Sequence, residues 1–75
     1  MQKIIDGLLY DTDTATEIYV DAKTNRKYYR TEKGNFFCLF SNQEIRPISE
    51  KSMKDYLGEV SVETYIEVFE MPELA

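Results

Sequence analysis

The sequence predicts an α+β domain: a small antiparallel sheet of about four to five short strands, built from two hairpins, followed by two C-terminal helices packed on one of its faces. Three observations carry this prediction. Apolar residues recur with a period of two as far as Ile48 and with a period near 3.6 after Ser49. Asp6-Gly7 and Glu32-Lys33-Gly34 each stand between two apolar runs, the pattern of tight hairpin turns. The order, strands first and helices last, is that of an α+β rather than an alternating α/β chain.

The elements follow in turn. Lys3-Ile4-Ile5 and Leu8-Leu9-Tyr10 flank Asp6-Gly7, and a type I′ turn needs positive φ at both central residues, which Asp-Gly accepts. Asp11-Thr12-Asp13-Thr14 is rich in side chains that bond their own backbone and reads as a turn or one helical turn capped by Asp or Thr. Glu17 to Asp21 alternates polar and apolar residues around Ile18 and Val20, as a strand does. Lys27–Thr31 and Asn35–Phe40 are aromatic and β-branched and form the second hairpin around Gly34. Glu44–Ile48 is a short extended piece, in which Pro47 suits a sheet edge because it donates nothing to a ladder. Ser49 caps a first helix from Glu50 to about Leu57, with Gly58 placed to end it. Ser61 caps a second helix, whose apolar stripe is Val62, Tyr65, Ile66 and Phe69 and which Pro72 closes.

Seventy-five residues allow one domain, 1–75, with a β-rich part over 1–48, two helices over 49–71 and a tail over 72–75. With 43% hydrophobic and 31% charged residues the composition is globular, not that of a disordered tail. No apolar run spans a membrane, the Met1–Asp6 opening has no secretory signal, and a single cysteine forms no internal disulfide. The expected location is therefore a reducing cytoplasm. Histidine is absent, which removes the commonest general base and metal ligand, so no catalytic residue, metal site or cofactor is expected.

Charge is the strongest functional signal. Residues 1–43 hold six acids and six bases, whereas 55–75 hold six acids and no base, within a net charge of −5. Such a molecule is a dipole whose acidic end attracts basic surfaces and repels nucleic acid. On helical spacing Glu63, Glu67 and Glu70 share a face opposite Val62, Ile66 and Phe69, and Asp55 and Glu59 extend it. Two readings of this face stand side by side. It is a solvated surface that keeps a small protein soluble, or it is a docking surface for a groove meant for nucleic acid. Uncompensated like charges and acids at the negative end of a helix dipole favour the second. Paired catalytic carboxylates need a deep cleft, which a chain this short rarely encloses.

Lys23, Arg26, Lys27, Tyr29, Arg30 and Lys33 form the alternative face, able to bind single-stranded nucleic acid through stacking and phosphate contacts. The same residues also suit an edge strand guarded against aggregation, with one tyrosine of the pair facing the core. They can equally meet the acidic helix of another copy in a homodimer. Cys38 reads as a buried thiol with no base to activate it. Asp11, Asp13 and Glu17 lack the loop pattern of a calcium site, and backbone capping by Asp11 and Thr12 accounts for this segment.

Three stretches carry a family resemblance: Ile4 to Ala15 with its Tyr10-Asp11-Thr12-Asp13-Thr14-Ala15 core, Tyr29 to Phe37, and Pro47-Ile48-Ser49 with Tyr65 and Phe69. Together they resemble short, uncharacterised proteins of Gram-positive bacteria, their prophages and conjugative elements. Relative to that pattern the segments Asp21–Arg26 and Ser41–Glu44 are shortened. The resemblance brings no chemistry with it. It implies an accessory protein of a mobile element, some of which block host defences; together with the charge segregation this leads to the expectation of a protein-binding inhibitor of nucleic-acid machinery such as a CRISPR effector. The alternatives are a small nucleic-acid-binding regulator and a structural homodimer module.

Overall fold

Asp6 and Gly7 adopt φ of 51° and 76°, both in the left-handed region that the two-residue turn demands. The turn joins β1 (Gln2–Ile5) to β2 (Leu8–Asp11), and the register runs from Ile5 opposite Leu8 to Gln2 opposite Asp11. The computed structural model describes all 75 residues and continues with β3 (Thr16–Asp21), β4 (Arg26–Arg30), β5 (Phe36–Leu39), β6 (Ile45–Ile48), α1 (Glu50–Val60) and α2 (Val62–Phe69). The α+β class holds, with antiparallel strands ahead of two C-terminal helices. The strands number six, and they divide into a two-stranded sheet, β1-β2, and a four-stranded meander, β3-β4-β5-β6. Neither helix is long and apolar enough to cross a membrane.

The piece expected only as an extended segment before the helices is half of a third hairpin. In the β4–β5 loop the Thr31 N–H donates to Asn35 O at 2.8 Å and the Gly34 N–H to Thr31 O at 2.9 Å. The β5–β6 loop repeats this scheme: the Phe40 N–H donates to Glu44 O at 2.8 Å and the Gln43 N–H to Phe40 O at 2.9 Å. Gly34 takes φ 86° and Gln43 takes φ 71°, so glutamine occupies the position where the other loop uses glycine. Pro47 lies on β6, an edge strand, as its missing N–H requires.

The four-stranded sheet is covered on both faces, which makes three layers. On one face Tyr28, Phe36 and Cys38 meet Met53 and Leu57 of α1, with Tyr65, Val68 and Phe69 of α2 at the margin. On the other, Tyr29, Phe37 and Ile45 meet Tyr10 of β2, with Ile5, Ala15 and Leu39 around them. Period-two alternation therefore sends Tyr28 and Tyr29 to opposite cores, and both are buried rather than one of the pair. A bulge between Glu17 and Tyr19 places Ile18 and Tyr19 together against the helical layer, leaving Val20 exposed.

Two helix expectations are corrected. Gly58 does not end α1, which runs on to Val60. The Ser61 N–H instead donates to Leu57 O at 2.9 Å while its Oγ accepts from the Thr64 N–H at 3.2 Å, so one extended residue closes α1 and opens α2. The core-facing stripe of α2 is Tyr65, Val68 and Phe69, because Val62 is 63% exposed and Ile66 packs on neither buried cluster.

Candidate functional site

The acidic residues lie on the solvent side of both helices. Asp55, Glu59, Glu63, Glu67 and Glu70 are all exposed, and Met53, Leu57, Tyr65, Val68 and Phe69 fix that orientation by anchoring the opposite sides in the core. The whole molecule contains three ion pairs, each between near neighbours in sequence: Arg46–Glu44 at 3.2 Å, Lys51–Asp55 at 3.0 Å and Lys54–Glu50 at 3.8 Å. Asp55 is thus compensated by Lys51 one turn earlier. Glu59, Glu63, Glu67, Glu70 and Glu73 form no ion pair, although Arg30 lines the same groove as Glu67.

The acids do not form one uniform stripe. Asp55 and Glu59 border a shallow groove with Ser52 and Tyr56 on α1. Glu67 borders a second groove with Glu17 and Arg30, where α2 runs beside β3 and β4. Glu63 lines neither groove and lies on the solvent side of α2, next to exposed Val62. Glu70 caps α2 with φ 73° and ψ 170°, a region that costs a non-glycine residue about 1–3 kcal/mol. Neither helix has a base in its last turn, so the carbonyl ends of both reinforce the negative potential.

The basic set is dispersed. Arg26 and Arg30 lie on the helical side of β4, Lys27 on the other side, and Lys23 and Lys33 in loops at opposite ends of the hairpin. Arg26 and Arg46 both stack on Phe40, with guanidinium carbons 4.3 and 5.0 Å from the ring centre. Tyr29 offers no stacking platform: it is 7% exposed and its ring lies 5.0 Å from that of Phe37, parallel to within 9°. It therefore leaves the set of candidate contact residues.

A polar network holds the helical layer in place. The Tyr56 hydroxyl donates to Asp21 Oδ2 at 3.1 Å, and Tyr56 packs against Tyr19 and Tyr28 with ring centres 6.0 and 4.7 Å away. Burial, then the bonds to Tyr28 and Asp21, push the Tyr56 phenol far above its usual range, so it remains a donor. Burial works against the Asp21 charge, yet the N–H groups of Lys23 and Thr24 and the Tyr56 hydroxyl outweigh it and hold the carboxyl below its ordinary value. Cys38 is 2% exposed and burial pushes its thiol up, which keeps it protonated and unreactive. Asp11 accepts from the Gln2 amide at 3.0 Å and from the Asp13 N–H at 2.9 Å, the capping role expected of it. A cleft of about 450 Å³ separates β2 from the β4–β5 loop, lined by Gly7, Leu8, Leu9, Tyr10, Thr14 and Thr31–Asn35 without Gly34. Its charged side chains, Glu32 and Lys33, carry opposite signs.

Two features were not anticipated. The Lys51–Asp55 pair was legible as an i,i+4 spacing. The exposed outer face of the first hairpin, Ile4 and Leu9, was signalled by apolar residues on both faces of one short strand pair. Compared with known proteins, the chain matches no family model, no curated protein and no solved structure.

Proposed function

We propose that this chain is a protein-binding module, not an enzyme, whose helical carboxylates engage a basic protein surface of the kind that holds nucleic acid. The observation that carries the reading is the unpaired state of exposed Glu59, Glu63, Glu67 and Glu70. Acids at one-turn spacing repel by a few tenths of a kcal/mol per pair, and only Glu63, in the first turn of α2, is offset by the helix dipole. A lysine-lined groove would relieve that repulsion on binding and steer the encounter at long range. Asp55 contributes least, because Lys51 already shares its charge. The resemblance to mobile-element proteins makes host nucleic-acid machinery the partner class, with occupation of its groove as the mode of inhibition.

The test uses the triple charge reversal Glu63→Lys, Glu67→Lys and Glu70→Lys. A partner isolated from a bacterial host with the wild-type chain is expected to be displaced by duplex DNA and by added salt, and to be lost with the triple variant. Retention by the triple variant at wild-type strength removes the acidic face from the mechanism.

A further inference from the structure

The chain exposes more surface than its mass warrants. A compact monomer of 8.8 kDa presents about 4,800 Å², whereas this one presents 5464 Å². Its radius of gyration is 12.5 Å, against about 11 Å for a compact chain of this length. Residues 70–75, all exposed, contribute to that surplus together with the first hairpin. Apart from Val20 on β3, the large apolar residues left open gather in two places. Met1, Ile4, Leu8 and Leu9 lie on the first hairpin, and Val60, Val62, Met71 and Leu74 lie along the C-terminal segment.

The hairpin adds an open backbone edge. The four-stranded sheet also ends in two edges, but β3 is broken by the bulge at Glu17/Tyr19 and runs beside α2, and β6 contains Pro47, so β1 is the edge that is both regular and apolar. The Thr12 N–H donates to Met1 O at 3.0 Å, which fixes the antiparallel alternation: Met1–Thr12, Lys3–Tyr10 and Ile5–Leu8 are the hydrogen-bonded pairs. The N–H and C=O of Gln2 and Ile4 therefore point away from β2, and β1 pairs with no other strand. The opposite edge, on β2, faces the cleft beside the β4–β5 loop. Lys3, the residue type that usually guards such an edge, is the one charged side chain within β1.

We propose that β1 pairs antiparallel with β1 of a second copy across a two-fold axis at Ile4, giving a continuous four-stranded sheet β2-β1-β1-β2. In this register Ile4 faces Ile4 of the second copy, and their outward N–H and C=O groups close a hydrogen-bonded pair. Lys3 lies opposite Ile5, so the two lysines avoid each other. Ile4 and Leu9, 72% and 54% exposed in the single chain, form an unbroken apolar row across both copies. The helices lie on the far side of the four-stranded sheet, so both acidic faces remain open and the net charges stay apart. This assembly stands independently of what the acidic face binds.

Sedimentation equilibrium of the full chain from micromolar to millimolar concentration tests it. The expected mass is twice 8.8 kDa, maintained in high salt because the contact is apolar and backbone-mediated. Ile4→Glu is expected to weaken association by about tenfold or more while the far-ultraviolet circular dichroism stays unchanged. Independently, Ile4→Cys is expected to form a disulfide-linked dimer under mild oxidation, since facing Cα atoms about 5.5 Å apart suit the bond. Cys38 stays in place as a buried bystander. A monomer at millimolar concentration, a dimer indifferent to Ile4→Glu, or faster linkage through Val62→Cys than through Ile4→Cys overturns the proposal.

Discussion

The two faces of the central sheet are covered very differently. On one face α1 and α2 bring a large aromatic and aliphatic margin, a hydrogen bond from Tyr56 to Asp21 and two serine caps. On the other a single hairpin supplies one buried ring, Tyr10, edge-on to Phe37 at 5.5 Å, and leaves its own outer face in water. A two-stranded hairpin is barely stable alone, so this cover depends on the sheet beneath it. The helical cover carries its own local bonds and caps. The contrast locates the thin side of the molecule, and with it the side that most gains from a further layer.

Substitutions that open one core at a time measure this asymmetry most directly. Phe37→Ala and Leu57→Ala remove side chains that are both 0% exposed, from the hairpin-side and helix-side cores respectively. Phe37→Ala is expected to cost about 3–5 kcal/mol and Leu57→Ala about 2–5 kcal/mol in urea unfolding, large against the total of so small a domain. If the hairpin is the thin cover, Phe37→Ala also releases the amides of β1 and β2 to rapid hydrogen exchange while those of α1 remain protected. Equal loss of protection in both layers breaks the comparison.

A weaker, pH-dependent effect separates the same two sides. Asp11 ties β1 to β2 through Gln2 and its carboxyl is held below 3.8, mainly by that amide and then by the Asp13 N–H. Asp21 ties β3 to α1 through Tyr56 and is likewise held below 3.8. Depressed carboxyls stabilise the fold above their unfolded values, and the contribution disappears as pH falls through the folded ones. Stability is therefore expected to drop from about pH 4 downward, with Asp11→Asn and Asp21→Asn each flattening the slope in thermal melts at graded pH. An unchanged slope in both variants would remove these two groups as the cause.

The smallest expected effect concerns the two loops of identical hydrogen bonding. Gln43→Gly places in the β5–β6 loop the residue that the β4–β5 loop already uses, at φ 71°. It should raise stability by up to about 1 kcal/mol, with the melting temperature as the readout. A decrease would mean that the glutamine side chain contributes more than its backbone strain costs.

Where a residue type has a strong conformational reason, the chain was legible. Asp6-Gly7 and Gly34 announced their turns through positive φ, and Ser49 and Ser61 announced helix starts through their hydroxyls. The third hairpin escaped notice because Gln43 carries no such signature. Gly58 misled because a glycine next to an expected helix end is also compatible with the interior, and Ser61 two residues beyond Glu59 was the stronger stop. The second covering layer was written in the uninterrupted run Phe36–Phe40, since a strand buried on both faces loses its alternation. For the site, helical spacing puts the five acids away from the apolar stripe, and all five are exposed. That Asp55 and Glu59 border one groove and Glu67 another depends on how α2 runs beside β3, a tertiary contact that local spacing does not encode.

Ser61 gives the two helices a hinge without slack. One residue finishes a helix and begins the next, so no flexible linker intervenes between Glu59 and Glu63. The chain behaves there as a bent rod, and the carboxylates on its two arms keep a fixed mutual bearing. A template of that kind selects partners by the spacing of their cations, not only by their number, and a single inserted residue would swing one arm by about 100°.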